Sequence, residues 1–248
     1  MSPEMVKPQR LETAGCVARL VACFPSPFKT IPCPELCFAV VRTGPQLLST
    51  LPEFALVHRV LEIPAAFRLT QLLNPFTTGI YRRLLREHAP QDPHALLLDL
   101  GCGLGDYLDM VECRALGVDV NPAYMAKAAE HHGPRFAAAT AMDLPFQSET
   151  FDAVLIMATC HHLSNEQVLS ALEECFQVLK PHGYVLIIDP VLPSPLWFWK
   201  WALFKLDRGK HLRTFAQLKA VAGEHYRVEA SPVVRGLLHD VVALRITR

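Results

Sequence analysis

The stretch at residues 96–108, LLLDLGCGLGDYL, constrains the fold more than any other part of the chain. Its opening run is almost continuously apolar, as in strands buried on both faces of a parallel sheet. Three glycines follow at positions 101, 103 and 105. Lacking a Cβ, they allow a tight turn and let a ligand come close to the backbone. In an open α/β sheet such a turn lies at the carboxyl end of a strand, where ligands bind. The dinucleotide fingerprint is G-x-G-x-x-G. Here the third glycine comes one residue early, Asp106 takes the last place, and Asp99 stands just before the turn. A carboxylate so near suits a ligand bearing positive charge better than a pyrophosphate.

The chain around this turn alternates between strand and helix patterns. Residues 95–100 and 115–120 (ALGVDV) read as strands, 135–140 as a weaker one, and 151–159 (FDAVLIMAT) and 184–190 (YVLIIDP) as two more. Further strands are expected near 226–230 and 239–246, which makes seven. Residues 122–132 read as a helix with Asn121 as N-cap and Pro122 in its first position. Residues 165–180 read as another, opened by a Ser164/Gln167 capping box and stopped by Pro181-His182-Gly183. Another helix is expected near 214–223, and PFTTGIYRRLLREHAP before the first strand is helical too. Strands separated by helices imply right-handed crossovers, hence an α/β fold with a doubly wound, mostly parallel, seven-stranded sheet.

Residues 1–55 hold eight of the twenty prolines and no sustained periodicity, and are expected to form an irregular extension. The domain proper is expected over 56–248, with a helical lead-in from about 56. None of the eight cysteines forms C-x-x-C, which fits reduced thiols in a cytoplasmic protein rather than a disulfide framework or a zinc site. The apolar stretch at 184–204 is interrupted by Asp189, three prolines and Lys200, so a transmembrane segment is not expected and peripheral membrane contact stays open. Formal net charge is zero, so no basic surface announces a nucleic-acid partner.

With these motifs in order, the chain resembles the class I S-adenosylmethionine-dependent methyltransferases, and most of all their small-molecule, type 11-like group. The resemblance covers about 90–248 and implies a Rossmann-like fold with S-adenosyl-L-methionine as cofactor. LLLDLGCGLGDYL resembles the family's first motif, so Asp99, Gly101, Cys102, Gly103 and Gly105 would lie under the methionine and ribose parts. GVDVNPAYMAKA resembles the second; Asp119 would bind both ribose hydroxyls, one carboxylate offering acceptors to two donors, with Val120 beside it. AMDLPF resembles the loop after the third strand, placing Met142 beside the adenine ring and Asp143 on its amino group. FDAVLIMATCHHL resembles the segment along the reactive end of the cofactor and brings in Met157. In VLKPHGYVLIIDP, His182 stands where the family usually has glycine.

His161 and His162 have two readings. One is contact with the substrate, including removal of its proton as a general base; the other is packing of the loop. Tyr107 has a similar pair of readings, as cofactor contact or as packing. WFWKWALFKL, 197–206, is either a substrate wall or plain core. Asp207, Arg208, Lys210, His211 and Arg213 either hold an anionic group of the substrate or form a solvated loop. The expected activity is methyl transfer to a small-molecule acceptor such as a lipid, sugar or other biosynthetic intermediate. The rivals are an NAD(P)-dependent oxidoreductase on a similar fold and a non-catalytic cofactor-binding module. A nucleic-acid acceptor is not expected, because ATCHHL lacks the Asn/Asp-Pro-Pro-aromatic signature.

Overall fold

The computed structural model describes residues 75–192, 211–236 and 240–248. The expected extension, the helical lead-in before 75 and the aromatic segment at 197–206 lie outside the described residues, as do Asp207, Arg208 and Lys210.

Helix α1 (Pro75–His88) leads into β1 (Leu96–Leu100), and β2 (Arg114–Asp119) follows the glycine turn. Then come α2 (Pro122–His132), β3 (Phe136–Ala138), β4 (Phe151–Met157), α3 (Asn165–Val178) and β5 (Leu179–Val191). The chain ends with α4 (Phe215–Gly223), β6 (Arg227–Ala230), β7 (Val234–Arg235) and β8 (Asp240–Thr247). The sheet order is β3-β2-β1-β4-β5-β8-β6. The first five strands of that order are parallel, whereas β8 runs antiparallel to both β5 and β6.

This is the expected doubly wound sheet, with one correction to the strand count. Among the described residues there are eight strands, because the two-residue β7 pairs with β8 beside the main path. Two residues are too few to leave a period in the sequence. A second difference lies at 179–183, where the sequence predicts a helix that runs to 180 and stops at Pro181-His182-Gly183. That stretch is the extended start of β5, and its register with β4 shifts between Phe151 and Ala153.

Side chains alternate across the central strands. Leu98, Leu100, Val154, Ile156, Val185 and Ile187 pack on one face with Leu172, Phe176 and Leu218 from α3 and α4. Leu97, Leu155, Leu186 and Ile188 pack on the other with Leu84 and Leu85 of α1. Burial on both faces explains why β1 and β4 read as almost continuous apolar runs. The Tyr184 hydroxyl donates to the carbonyl of His88 at 3.0 Å and ties the end of α1 to β5.

The predicted caps form. The Asn121 side chain accepts from the N–H groups of Ala123 and Tyr124, and Ser164 and Gln167 make a reciprocal capping box. Thr214 and Gln217 make a second one at α4. These caps start α2 just after the end of β2, and α3 after the 3₁₀ turn that follows β4.

Candidate active site

The residues singled out from the sequence gather at the carboxyl edge of the parallel strands. Gly101, Gly103 and Gly105 all have positive φ, at 81°, 56° and 78°. Space matters as well as conformation. A Cβ on Gly101 would strike the Thr159 side chain, with Cγ2 at 2.8 Å, and one on Gly105 would meet the Phe136 ring at 2.6 Å. The N–H groups of Gly101 and Cys102 both donate to the Val118 carbonyl, at 2.8 and 3.0 Å, which pins the turn to the end of β2.

Asp119 completes that join. Its Oδ2 accepts from the Gly103 N–H at 3.1 Å and its Oδ1 from the Asn121 N–H at 2.9 Å. A carboxylate has about four lone-pair sites, so each oxygen keeps capacity for another donor. Burial raises the Asp119 pKa above the ordinary carboxylate range, and these backbone bonds oppose the rise. Next to it, Val120 is 75% exposed, an apolar side chain presented to solvent beside a charged one.

Asp99 is 2% exposed, and its Oδ1 has no hydrogen-bond partner. Burial, then repulsion from Asp119, pushes its pKa up to about 8. An orphaned buried carboxylate oxygen calls for an explanation, and a cationic ligand would supply one. The Cys102 thiol is held well above its usual range, first by burial and then by Asp99 and Asp119, so it is a poor nucleophile. Tyr107 is half-buried and meets Tyr81 edge-on, with ring centroids 6.1 Å apart.

Asp143 is exposed in a turn closed by its N–H donating to the Thr140 carbonyl at 3.2 Å, and Met142 sits half-buried beside it. Met157 ends β4 and is buried. Ala158 then takes a left-handed φ of 49°, and its N–H donates to the Ile188 carbonyl at 2.9 Å. Such a conformation costs a non-glycine residue roughly 1–2 kcal/mol, borne here at a strand end facing the site.

The two histidines part company in a single 3₁₀ turn, Cys160–His162. His162 is exposed. His161 is 5% exposed, and its Nδ1 lies 3.1 Å from Oδ1 of Asp189, itself 2% exposed at the end of β5. Sequence reading missed Asp189, and it missed Thr159, whose hydroxyl donates to the Met157 carbonyl at 2.9 Å. The Asp189 in YVLIIDP is the one charge in an otherwise apolar strand pattern, and that was the available signal.

Arg213 itself fits neither reading of the charged segment, anion clamp or solvated loop. It is 7% exposed and spends its guanidinium on the chain itself. Nε donates to the Asn165 side chain, Nη1 to the carbonyls of Cys160 and His211, and Nη2 to that of Leu163, all between 2.7 and 3.0 Å. The N–H of His211 donates to the His161 carbonyl at 3.0 Å.

Residues 98–187 match a family model described as a methyltransferase domain. That span runs from β1 into β5 and includes the glycine turn, Asp119, Asp143 and both histidines. Over that span the chain is similar to the type 11 methyltransferase domain. A tRNA (carboxymethyluridine(34)-5-O)-methyltransferase of Arabidopsis thaliana is 38% identical over 95 residues, 38% of this chain and 23% of that protein. A demethylmenaquinone methyltransferase of Thermus thermophilus is 30% identical over 154 residues, 58% of this chain and 63% of that protein. The chain therefore spans under a quarter of the first relative and less than two thirds of the second. Among solved structures, a SAM-dependent methyltransferase from Thermotoga maritima superposes with a TM-score of 0.62 at 16% identity, over 76% of this chain and 98% of that one. That likeness concerns the fold of the methyltransferase domain. The family match sets aside the dinucleotide oxidoreductase reading. The tRNA methyltransferases among the relatives remove the support for excluding nucleic acid as a partner of the domain. Among the described residues, no helix is long and apolar enough to cross a membrane.

Proposed function

We propose that this chain transfers the methyl group of S-adenosylmethionine to a small-molecule acceptor. The observation that carries the reading is the pair of carboxylates, buried Asp99 and half-buried Asp119, beside a three-glycine turn, with Asp99 Oδ1 lacking a partner. Such a pocket disfavours phosphate and favours a ligand with a cationic group and a diol.

When bound, the cofactor supplies an activated methyl group on a sulfonium. The chain has to hold it and align the acceptor in line with the breaking bond. In this reading Asp99 and the turn residues Gly101, Cys102, Gly103 and Gly105 receive the methionine end. Asp119 takes the ribose hydroxyls, and Val120, Met142 and Asp143 frame the adenine. Met157 lines the reactive end, where His161 and His162 meet the acceptor. We assign residues 56–248 to this domain and residues 1–55 to a separate extension.

The test is calorimetry with S-adenosylmethionine, followed by transfer of labelled methyl into a metabolite extract. Micromolar binding and a labelled small product support the reading; folded protein that fails to bind sinks it. A parallel arm with total tRNA tests a second reading, favoured by the tRNA methyltransferases among the relatives. Label on tRNA alone would replace the small-molecule acceptor.

A further inference from the structure

Asp189 and His161 form a buried acid–imidazole pair where the ends of β4 and β5 come together. Strand alternation accounts for the placement. Ile187 packs with Cys160 on the α3 and α4 face of the sheet, and Asp189 is two residues further along the same strand. Burying a carboxylate and an imidazole costs free energy that an apolar pair of similar volume would not. The surrounding chain keeps the turn in place nonetheless. Arg213 donates to the carbonyls of Cys160 and Leu163, which bracket the two histidines.

We propose that Asp189 is a positioning residue, holding the His161 imidazole with its proton on Nδ1 and leaving Nε2 as the nitrogen that accepts the acceptor's proton. This rests on the methyltransferase reading given above. A carboxylate that accepts from one ring nitrogen selects the tautomer and stabilises the imidazolium formed when the other is protonated. In the transfer step a lone pair on the acceptor's nucleophilic atom forms the new bond to the methyl carbon. The carbon–sulfur bond breaks and its electron pair stays on sulfur. The acceptor's proton goes to His161 Nε2, so the positive charge lost from sulfur reappears on the imidazole facing Asp189. The other titratable or charged groups around the pair are the exposed His162, with its ring centroid 4.1 Å from that of His161, the buried Cys160 thiol, Arg213 and His211.

The test is nitrogen-15 NMR of the histidine rings in the full chain at a pH where the imidazoles are neutral, with His161→Gln assigning the signal. The expected result is an Nδ1–H tautomer for His161. Asp189→Asn, which can donate an amide N–H to Nδ1, should convert it to the Nε2–H form and leave S-adenosylmethionine affinity within about twofold by calorimetry. An Nε2–H tautomer in the native chain overturns the proposal, and so does an unchanged tautomer in Asp189→Asn. The native spectrum decides even if the variant fails to fold. Failure of the cofactor to bind would instead strike the methyltransferase reading.

Discussion

Asp99 and Asp119 project from the same side of neighbouring parallel strands, because Asp119 lies two residues beyond Gly117, the register partner of Asp99. Burial of Asp99, and then repulsion from the half-buried Asp119, pushes the pKa of Asp99 up to about 8. In the unfolded chain it would titrate near 3.8. The folded state therefore binds this proton more tightly. The stability contributed by protonated Asp99 is full below about pH 4 and is lost as pH rises through about 8.

Asp99→Asn should abolish that loss. Without ligand, the variant and the parent should differ little at pH 3.5, and the variant should be the more stable at pH 8.5, by up to about 5 kcal/mol. Urea denaturation at the two pH values measures it, and parallel stability–pH curves would refute the assignment. The same variant should bind S-adenosylmethionine more weakly, since the amide cannot neutralise an ammonium.

Asp119→Ala removes the acceptor for the N–H groups of Gly103 and Asn121 together with the proposed ribose contact. Calorimetry should show cofactor affinity reduced at least tenfold. The loss of two backbone partners should lower stability by about 1–3 kcal/mol. Unchanged affinity in folded protein would exclude the diol role.

Gly101→Ala must place a Cβ against Thr159 at a positive φ of 81°. A loss of about 2 kcal/mol or more is expected. Adding Thr159→Ala removes the Oγ1 and Cγ2 clashes but not the backbone strain, so the double variant should recover part of the loss. A double-mutant cycle by chemical denaturation reads that coupling, and strict additivity would mean that the contact is immaterial.

Arg213→Lys keeps the charge but not the planar fork that reaches four acceptors. Unfolding free energy should fall by about 3 kcal/mol, because the buried carbonyl of Cys160 and the part-buried carbonyls of Leu163 and His211 lose their donors. A change below about 0.5 kcal/mol would show that solvent satisfies them instead.

The elements that proved legible were those whose pattern is local. β1 and β4 are buried on both faces, so their composition alone marks them. Asn121, Ser164 and Gln167 act within four residues, so their caps can be read off spacing. The glycine turn announced itself for the same reason. What escaped was set by contacts distant in sequence. Arg213 reaches back 53 residues to Cys160, and Asp189 reaches 28 to His161, and no period records either. His161 and His162 are adjacent and identical in sequence. Only the 3₁₀ turn sends one ring inward and leaves the other outside. The glycine turn, Asp99 and Asp119 lie together at the ends of β1 and β2, while the acceptor side left no comparable pattern.

Strand β8 lies between β5 and β6, yet it is the last of the three to be synthesised. Until Asp240–Thr247 clears the ribosome, β5 keeps an open edge of unpaired backbone groups from Val185 to Val191, and β6 has nothing to pair with. The order of synthesis and the order of assembly therefore differ. A nascent chain can lay down the parallel half that holds the glycine turn, but it must wait for β8 to close the sheet. During that wait the hydrophobic edge of β5 is the surface most in need of protection from other chains.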